Sequence, residues 1–397
     1  MSTTWIVTQL FFPEETSTAY IMTRISELLS EEGPVNVVCG SSSYHSDSLK
    51  TDKVLGENVN IFHVKTPSLN KNNLFFRIFL FFYFTIAVFL KIIWNVKKND
   101  KLILVTNPPT LLIVIGLLKR IKKFNLIVIL QDIFPENAAV SGIISKKSII
   151  YKSLLSIMNR GYSYADKLIA CGSDMSQYFI NKGLEPSKIF IIPNWIDQEL
   201  LDLEVATDRN IYFNLDLKGK VVLEFAGNIG RVQGLGRFLQ LFHKAMNPNL
   251  ILLVVGDGAN KNELEKYVWE NKISNVFFFK SKPRSEQAKF LNSCDIGLIT
   301  LCEGMYGLGV PSKVYNLMSA AKPIFYIGDK NSEIDIYIKK NMIGWSFNWQ
   351  DENEILNFLT QIDCSIDFES MGINARSFAH TNFTEANILS KYKEILS

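Results

Sequence analysis

Paired cysteines are missing. The five cysteines of this 397-residue chain lie far apart, none in a C-x-x-C arrangement, and their number is odd. That spacing excludes a disulfide framework and fits free thiols in a reducing compartment. Histidine is scarce: His45, His63, His243 and His380 stand at no metal-ligand spacing from one another, and no two aspartates form a D-x-D pair. The residues therefore offer no obvious protein-bound metal site. Net charge is small as well. At +3, with 20% charged residues, the chain lacks the basic excess of a nucleic-acid binder. The N-terminus, MSTTWIVTQLFF, has no basic segment, apolar core and small-residue cleavage site in the order of a signal peptide. It reads as a first strand, and the protein is expected in the cytoplasm.

What is present is a chain long enough for two domains, each with its own core. Apolar residues make up 47%, with 28 phenylalanines and a mean hydropathy of +0.10, on the greasy side for a globular protein. Short apolar runs at 5–12, 35–40, 59–65, 101–106, 126–130, 167–171 and 189–193 read as strands. Helical patterns such as 19–31 and 111–122 fall between them. Runs such as LILVT and LIVIL are continuously apolar, as strands buried on both faces are. The alternation restarts with strands at 221–226, 250–255, 276–279, 296–301 and 323–327, and helices near 235–246, 261–271 and 285–293. Residues 201–220 are polar and weakly periodic, as a linker is. The expected fold class is α/β: two doubly wound, Rossmann-like domains facing a cleft, with ligands at the carboxyl ends of the strands.

The stretch FFRIFLFFYFTIAVFLKIIW, 75–94, stands apart. Arg77 and Lys91 leave an uncharged run shorter than the ~20 residues a bilayer crossing takes. A core helix, or one lying on a membrane surface, is expected instead. LLKRIKKF (117–124) and ISKKSIIYKSLLSIMNRG (144–161) pair apolar faces with clustered lysines, the composition of interfacial helices drawn to anionic headgroups. A solvated charged face over an ordinary core stripe is the plainer alternative.

A second stretch, EFAGNIGRVQGLGRFL (224–239), places four glycines and Arg231 between a strand pattern and a helix pattern. Glycine lets a ligand approach the backbone, and a helix N-terminus favours phosphate. The spacing fits neither G-x-x-x-x-G-K-[ST] nor G-x-G-x-x-G, so a tight turn with no ligand is the competing reading.

FFPEETSTA, VTNPP, LQDIFPENA, IPNWID, FAGNIGRVQGL, VVGDG, CDIGLITL and GVPSKVYNLMSAAKP occur in that order along the chain. This series resembles the retaining, nucleotide-sugar-dependent glycosyltransferases of the GT-B type, fourth family. It is most similar to the branch that builds O-antigen and colanic-acid polysaccharide, L-fucosamine transferases included. The resemblance implies an N-terminal acceptor domain over 1–200 with membrane-facing helices and a nucleotide-sugar domain over 201–380. A helix in 381–397 would return to the first domain; Ile388, Leu389, Tyr392, Ile395 and Leu396 share one side of it. It further implies transfer of a sugar, N-acetyl-L-fucosamine among the candidates, from a UDP-sugar to an undecaprenyl-diphosphate-linked saccharide. The work would take place at the cytoplasmic face of the inner membrane, with no metal and no cofactor beyond the UDP-sugar co-substrate. A UDP-sugar 2-epimerase and a catalytically silent nucleotide-sugar-binding partner are the rival readings.

By the same resemblance, Gly227, Asn228, Gly230, Arg231 and Gln233 would meet the donor diphosphate, joined by Ser312 and Lys313 at the start of a helix over 314–321. Family members usually carry Arg and Lys where this chain has Asn228 and Gln233, so Arg231 and Lys313 would supply the charge; a solvated lysine is the bland reading of Lys313. Gly256, Gly258 and Lys282 would line the nucleoside. Two glutamates of many relatives are replaced by Leu308 and Asn316. Asn316 can still bond a ribose hydroxyl, and Glu303 could stand in toward the sugar. On the acceptor side the candidates are Glu14, Ser17, Thr18, Asn107, Gln131 and Glu136. Asp132 would orient the acceptor hydroxyl or stabilise positive charge at the anomeric carbon, against a plain helix-capping role.

Overall fold

The computed structural model describes residues 2–14, 16–40, 55–56, 58–67, 69, 74–201 and 212–396, with Leu74 and Arg77 as backbone only. His45, the Arg77 side chain and residues 202–211 of the expected linker lie outside the described residues. The chain divides into two compact units, Met1–Pro193 with Leu389–Ser397, and Asn194–Ile388.

The first unit is built on seven parallel strands: β1 (Thr4–Thr8), β2 (Val35–Gly40), β3 (Val59–Val64), β4 (Lys101–Val105), β5 (Asn125–Ile129), β6 (Lys167–Ala170) and β7 (Ile189–Ile191). Their order is β3-β2-β1-β4-β5-β6-β7, a doubly wound arrangement. Each lies where an apolar run predicts it, because a strand covered on both faces needs apolar side chains on both; Ile6, Val37, Leu104 and Val128 are fully buried. The first strand is shorter than the expected 5–12. After Thr8 the chain turns: the Thr8 hydroxyl donates to the Leu10 carbonyl at 2.9 Å, and the Glu14 N–H reaches the Phe11 carbonyl at 3.1 Å. Apolar residues 10–12 thus belong to a turn.

Among the described residues, six helices accompany this sheet: α1 (Ser17–Ser30), α2 (Leu74–Asn95), α3 (Thr110–Lys122), α4 (Glu136–Val140), α5 (Ile149–Ser163) and α6 (Ser173–Asn181). In α2 a row at spacing four, Leu80, Phe84, Val88 and Ile92, is buried, while Phe79, Phe82, Ile86 and Leu90 point outward. The helix is core on one side only. Its greasy composition does not arise from complete burial. The strip 389–397 ends the first unit: Tyr392 and Leu396 are buried, and Lys167 Nζ donates to the Ile395 carbonyl at 2.6 Å while Lys101 Nζ donates to that of Leu396. Lysines thereby satisfy carbonyls that a helix end leaves unpaired.

The second unit repeats the plan with β8 (Val221–Ala226), α7 (Leu235–Ala245), β9 (Leu250–Val255), α8 (Lys261–Glu270), β10 (Val276–Phe279), α9 (Gln287–Asn292), β11 (Ile296–Thr300), α10 (Lys313–Ser319), β12 (Ile324–Ile327), α11 (Glu333–Asn341), β13 (Gly344–Phe347), α12 (Glu352–Gln361), α13 (Phe368–Asn382) and α14 (Glu385–Leu396), the last of which runs on into the strip of the first unit. Strand order is β10-β9-β8-β11-β12-β13, all parallel. Strand β13 escapes sequence reading because GWSF has no long apolar run and all four residues are half-buried. The expected linker is also corrected in part: Phe213 packs on Phe279 with centroids 4.6 Å apart and Leu217 is buried, so the described end of that stretch belongs to the second core.

One residue breaks the apolar rule. Glu224, mid-strand in β8 and paired in register with Leu253 and Gly297, is fully buried. Neither carboxylate oxygen has a hydrogen-bond partner among the described residues. Burial drives its pKa well above the usual glutamate range, with Lys322 pulling it down. An acid protonated in the folded state and ionised in the unfolded one costs stability as pH rises above its unfolded value. Glu224→Gln keeps the shape and removes the titration. Its thermal midpoint, followed by circular dichroism, is expected to gain on wild type progressively from mildly acidic to mildly alkaline pH; a pH-independent difference would refute the assignment.

Candidate functional site

The carboxyl ends of β8, β9 and β11 are joined by backbone. Past Ala226 the chain runs through Gly227–Gly230 and a short turn at Arg231–Gln233 before α7 begins. The Gly227 N–H donates to the Val255 carbonyl at 2.9 Å, Ile229 N–H to that of Asp257 at 2.8 Å, and Cys302 N–H to that of Val232 at 2.8 Å. This fixes the role of two glycines. A Cβ on Gly256 would stand 2.0 Å from the Gly227 carbonyl oxygen, and one on Gly258 2.5 Å from that of Ile229; both have positive φ, +154° and +156°. Their lost side chains make room for the neighbouring loop, a structural reason that the expectation of a nucleoside lining did not supply.

Arg231 and Asn228 are exposed on this loop. At the loop's end a Cβ on Gly234 would stand 2.9 Å from the ring of Trp349, whose indole N–H donates to the Leu301 carbonyl at 2.5 Å. Arg237 of α7 bonds the Trp349 carbonyl at 2.8 Å and stacks 4.9 Å from its ring.

Three buried polar atoms at this end of the sheet have no hydrogen-bond partner among the described residues: Gln233 Oε1, Thr300 Oγ1 and Lys313 Nζ. Thr300 closes β11. Lys313 opens α10, and its ammonium lies 3.5 Å from the centroid of Phe225, in the last turnings of β8. The residue as a whole is half-buried, but its amine is enclosed, and that desolvation lowers its pKa to about 7. An unmade hydrogen bond at a buried polar group costs about 1–3 kcal/mol. Of the three, the Lys313 amine and the Thr300 hydroxyl can donate to a polar group placed there, whereas the Gln233 oxygen only accepts. Lys313 is therefore not the solvated first-turn lysine of the bland reading.

Other second-unit candidates have partners. The Asn316 amide is buried and committed to Asp197: Oδ1 accepts from its N–H at 3.1 Å, and Nδ2 donates to Oδ2 at 2.9 Å. Asp197 also holds Arg284. The Asn316 amide, expected toward the ribose, ties residue 197 to α10 with one bond at each end. Leu308 is buried. Glu303 is exposed and accepts from Gln350 Nε2 at 3.2 Å. Lys282 pairs with Glu286 at 3.9 Å and lies 5.3 Å from the Tyr212 ring. Ser312 takes the N-cap position of α10, a helix of seven residues running 313–319 and not 314–321.

In the first unit, Gln131 and Asp132 follow β5, and the Thr106 hydroxyl, just past β4, accepts from both their N–H groups at 3.1 and 3.3 Å. Asp132 accepts from Asn137 Nδ2 at 3.2 Å. Desolvation raises its pKa above the usual aspartate range, with the Asn137 bond acting against the rise. Asp132 caps no helix, since Pro135 holds that position for α4. Asn107 is half-buried after β4. Glu14, Ser17 and Thr18 flank the start of α1, where Thr16 supplies the capping oxygen, 3.2 Å from the Ala19 N–H.

Glu136 needs correction. It does not line an open surface: it is buried, paired with Lys182, and accepts from the Tyr178 hydroxyl at 2.7 Å. Sequence reading also passed over Thr16, Thr106, Thr300, Phe225 and Trp349. A threonine ending an apolar run, as in LILVT and IGLIT, is the only signal that the sequence carries for two of them. Among the described residues no three His, Cys, Asp or Glu side chains gather as metal ligands would.

Two outcomes follow. Glu136→Gln strands Lys182 in the interior and is expected to cost about 3–5 kcal/mol in urea unfolding; a change within error would place the pair at the surface. Lys313→Met removes an amine whose folded pKa lies below its unfolded value, so wild type loses stability as pH falls from the alkaline range toward 7 and Lys313→Met does not. Thermal midpoints of the two should diverge as pH is lowered over that window and run parallel below it.

The family profile of glycosyl transferases group 1 matches residues 208–358. Over 398 aligned residues the chain is 31% identical to the probable glycosyltransferase WbjE of Pseudomonas aeruginosa, covering 99% of this chain and 97% of that protein. It is 27% identical over 164 residues, 40% of each chain, to WcaI of Escherichia coli (strain K12), a protein named for colanic acid biosynthesis. Among solved structures, Anabaena Alr3699/HepE in complex with UDP-glucose superposes with a TM-score of 0.69 at 16% identity, over 100% of this chain and 99% of that one, a likeness of fold. On its paired Rossmann-like units and its full-length match, the chain belongs to the group 1 glycosyltransferases of GT-B fold.

Proposed function

We propose that the protein is a retaining, metal-independent sugar transferase of bacterial surface-polysaccharide assembly. It takes a sugar, N-acetyl-L-fucosamine as first candidate, from a UDP-linked donor and passes it to an undecaprenyl-diphosphate-linked saccharide at the cytoplasmic face of the plasma membrane. The carrying observation is the enclosed, unpaired Lys313 amine beside a glycine-lined loop at the strand tips. A diphosphate there gains an opposite charge where water is excluded, the setting in which such a contact is strongest. Arg231, on the exposed side of the loop, supplies a second cation. The HepE complex with UDP-glucose supports a nucleotide-sugar donor, and the likeness to WbjE and WcaI supports polysaccharide as the product.

In the reaction, the bond from the anomeric carbon to the UDP oxygen breaks as the acceptor hydroxyl attacks from the same face. The hydroxyl proton passes to the departing phosphate oxygen. Asp132, held by Thr106 and Asn137, orients that hydroxyl or offsets the positive charge that builds at the anomeric carbon. Lys313 and Arg231 carry the negative charge that grows on the leaving group.

A second reading is favoured by one observation. Leu308 is apolar and buried, and the Asn316 amide is engaged by Asp197, so neither offers the carboxylate that relatives place toward the sugar. A nucleotide-sugar-binding partner without turnover would tolerate that loss.

Purified protein, a panel of UDP-sugars and a short lipid-diphosphate saccharide decide between the two. Product mass gain with release of UDP is expected for one donor, and Arg231→Ala and Lys313→Ala should each lower turnover about 10- to 100-fold. Binding of UDP by calorimetry with no product from any donor would leave the silent partner standing and sink the transferase.

A further inference from the structure

Residues 74–99, 110–124 and 141–163, which carry α2, α3 and α5, hold twelve lysines and arginines and no aspartate or glutamate, in a chain of 42 cationic and 39 acidic side chains. The three helices are neighbours, α3 packing against α2 and against α5. All three expose large apolar side chains outward: Phe82 at 54% and Trp94 at 83% on α2, Ile121 at 78% on α3, Ile149 at 82% on α5. Single exposed hydrophobes are ordinary, whereas a field of them across adjacent helices marks an interaction surface. The cations lie among them, Arg120, Lys123, Lys146, Lys147 and Lys152 being exposed.

We infer that the outward faces of α2, α3 and α5 form an in-plane docking surface for a bilayer of anionic phospholipid, with the α2 phenylalanines below the headgroups and the lysines among them. This rests on the proposed lipid-linked acceptor and names the surface that would meet its membrane. Charge selects the occupant. A second copy of the chain would set this all-cationic face against its own like; an acidic lipid surface satisfies both the apolar rows and the lysines.

Composition alone would let α2 span: Ile78–Asn95 has a mean hydropathy of 2.0 and is 28% buried. The buried side argues otherwise. Leu80, Phe84, Val88 and Ile92 are covered along the helix, so crossing would drag α3, with Lys119, Arg120, Lys122 and Lys123, into hydrocarbon where charge is expensive. Lying flat, α2 keeps its inner row on the protein and gives its outer row to lipid.

The test is flotation of the full chain with vesicles of phosphatidylcholine alone or in equal parts with phosphatidylglycerol. Binding at least about tenfold tighter to the anionic vesicles is expected, weakening as salt is raised. The pair Phe82→Ser with Ile86→Ser should abolish it, and Lys146→Glu with Lys147→Glu should remove the preference for anionic lipid. Unchanged thermal midpoints confirm that these exposed changes leave the fold intact. Equal binding to both vesicles, no binding, or a lipid-free dimer by light scattering that the Phe82/Ile86 pair disperses would overturn the inference. UDP release with a water-soluble acceptor saccharide, which these four positions should not alter, separates the two readings. Vesicle binding without turnover sinks the transferase alone, and turnover without vesicle binding sinks the docking surface alone.

Discussion

The strand tips of the second unit depend on one steric condition, that two loops approach with backbone against backbone. The carbonyl oxygens of Gly227 and Ile229 occupy the space where side chains of residues 256 and 258 would begin. No rotamer change relieves a Cβ at that distance, because both partners are main chain. Given the approach, the hydrogen bonds from Gly227 to Val255 and from Ile229 to Asp257 form at good length. The loop after β8 is then held from beneath while Arg231 and Asn228 stay exposed. Flexibility as glycine's general property matters less here than absence of bulk at two points.

On that platform, polar atoms are left unsatisfied. Protein interiors pair nearly all their buried donors and acceptors, and much of this chain obeys: Asn316 with Asp197, Glu136 with Lys182 and Tyr178. The amine of Lys313 has an aromatic face in place of an acceptor. A ring quadrupole compensates a cation weakly, so the amine is left without a strong partner among the described residues. That costs stability, and under the proposed function it is the cost a bound diphosphate would relieve.

Much of the fold was legible in the sequence because doubly wound sheets bury strands on both faces. LILVT, LIVIL and LILLVV could belong to little else, and the strands lie within a residue or so of those runs apart from the first. Turn chemistry defeated the first: FFP reads as strand by composition, yet Thr8 and Phe11 close a turn. GWSF, half-buried at all four positions, lacks the apolar run that reveals a strand. At the site, sequence ranked residues by type and position, and type does not disclose partners. Asn316 and Glu136 look like free polar groups until their contacts from residues 197 and 182 are seen, 119 and 46 positions away in the chain. The enclosure of Lys313 depends likewise on Phe225, far off in sequence.

The arrangement of charge along the chain has its own consequence. With twelve cations and no acids in the segments carrying α2, α3 and α5, the remainder holds 30 cationic against 39 acidic side chains. The near-neutral total therefore conceals a molecule with a strongly positive region and a negative balance. Such a body feels torque in the field above a charged plane before any atom touches it. If the proposed docking surface meets an anionic bilayer, the protein would arrive already turned, with few encounters wasted on the wrong orientation.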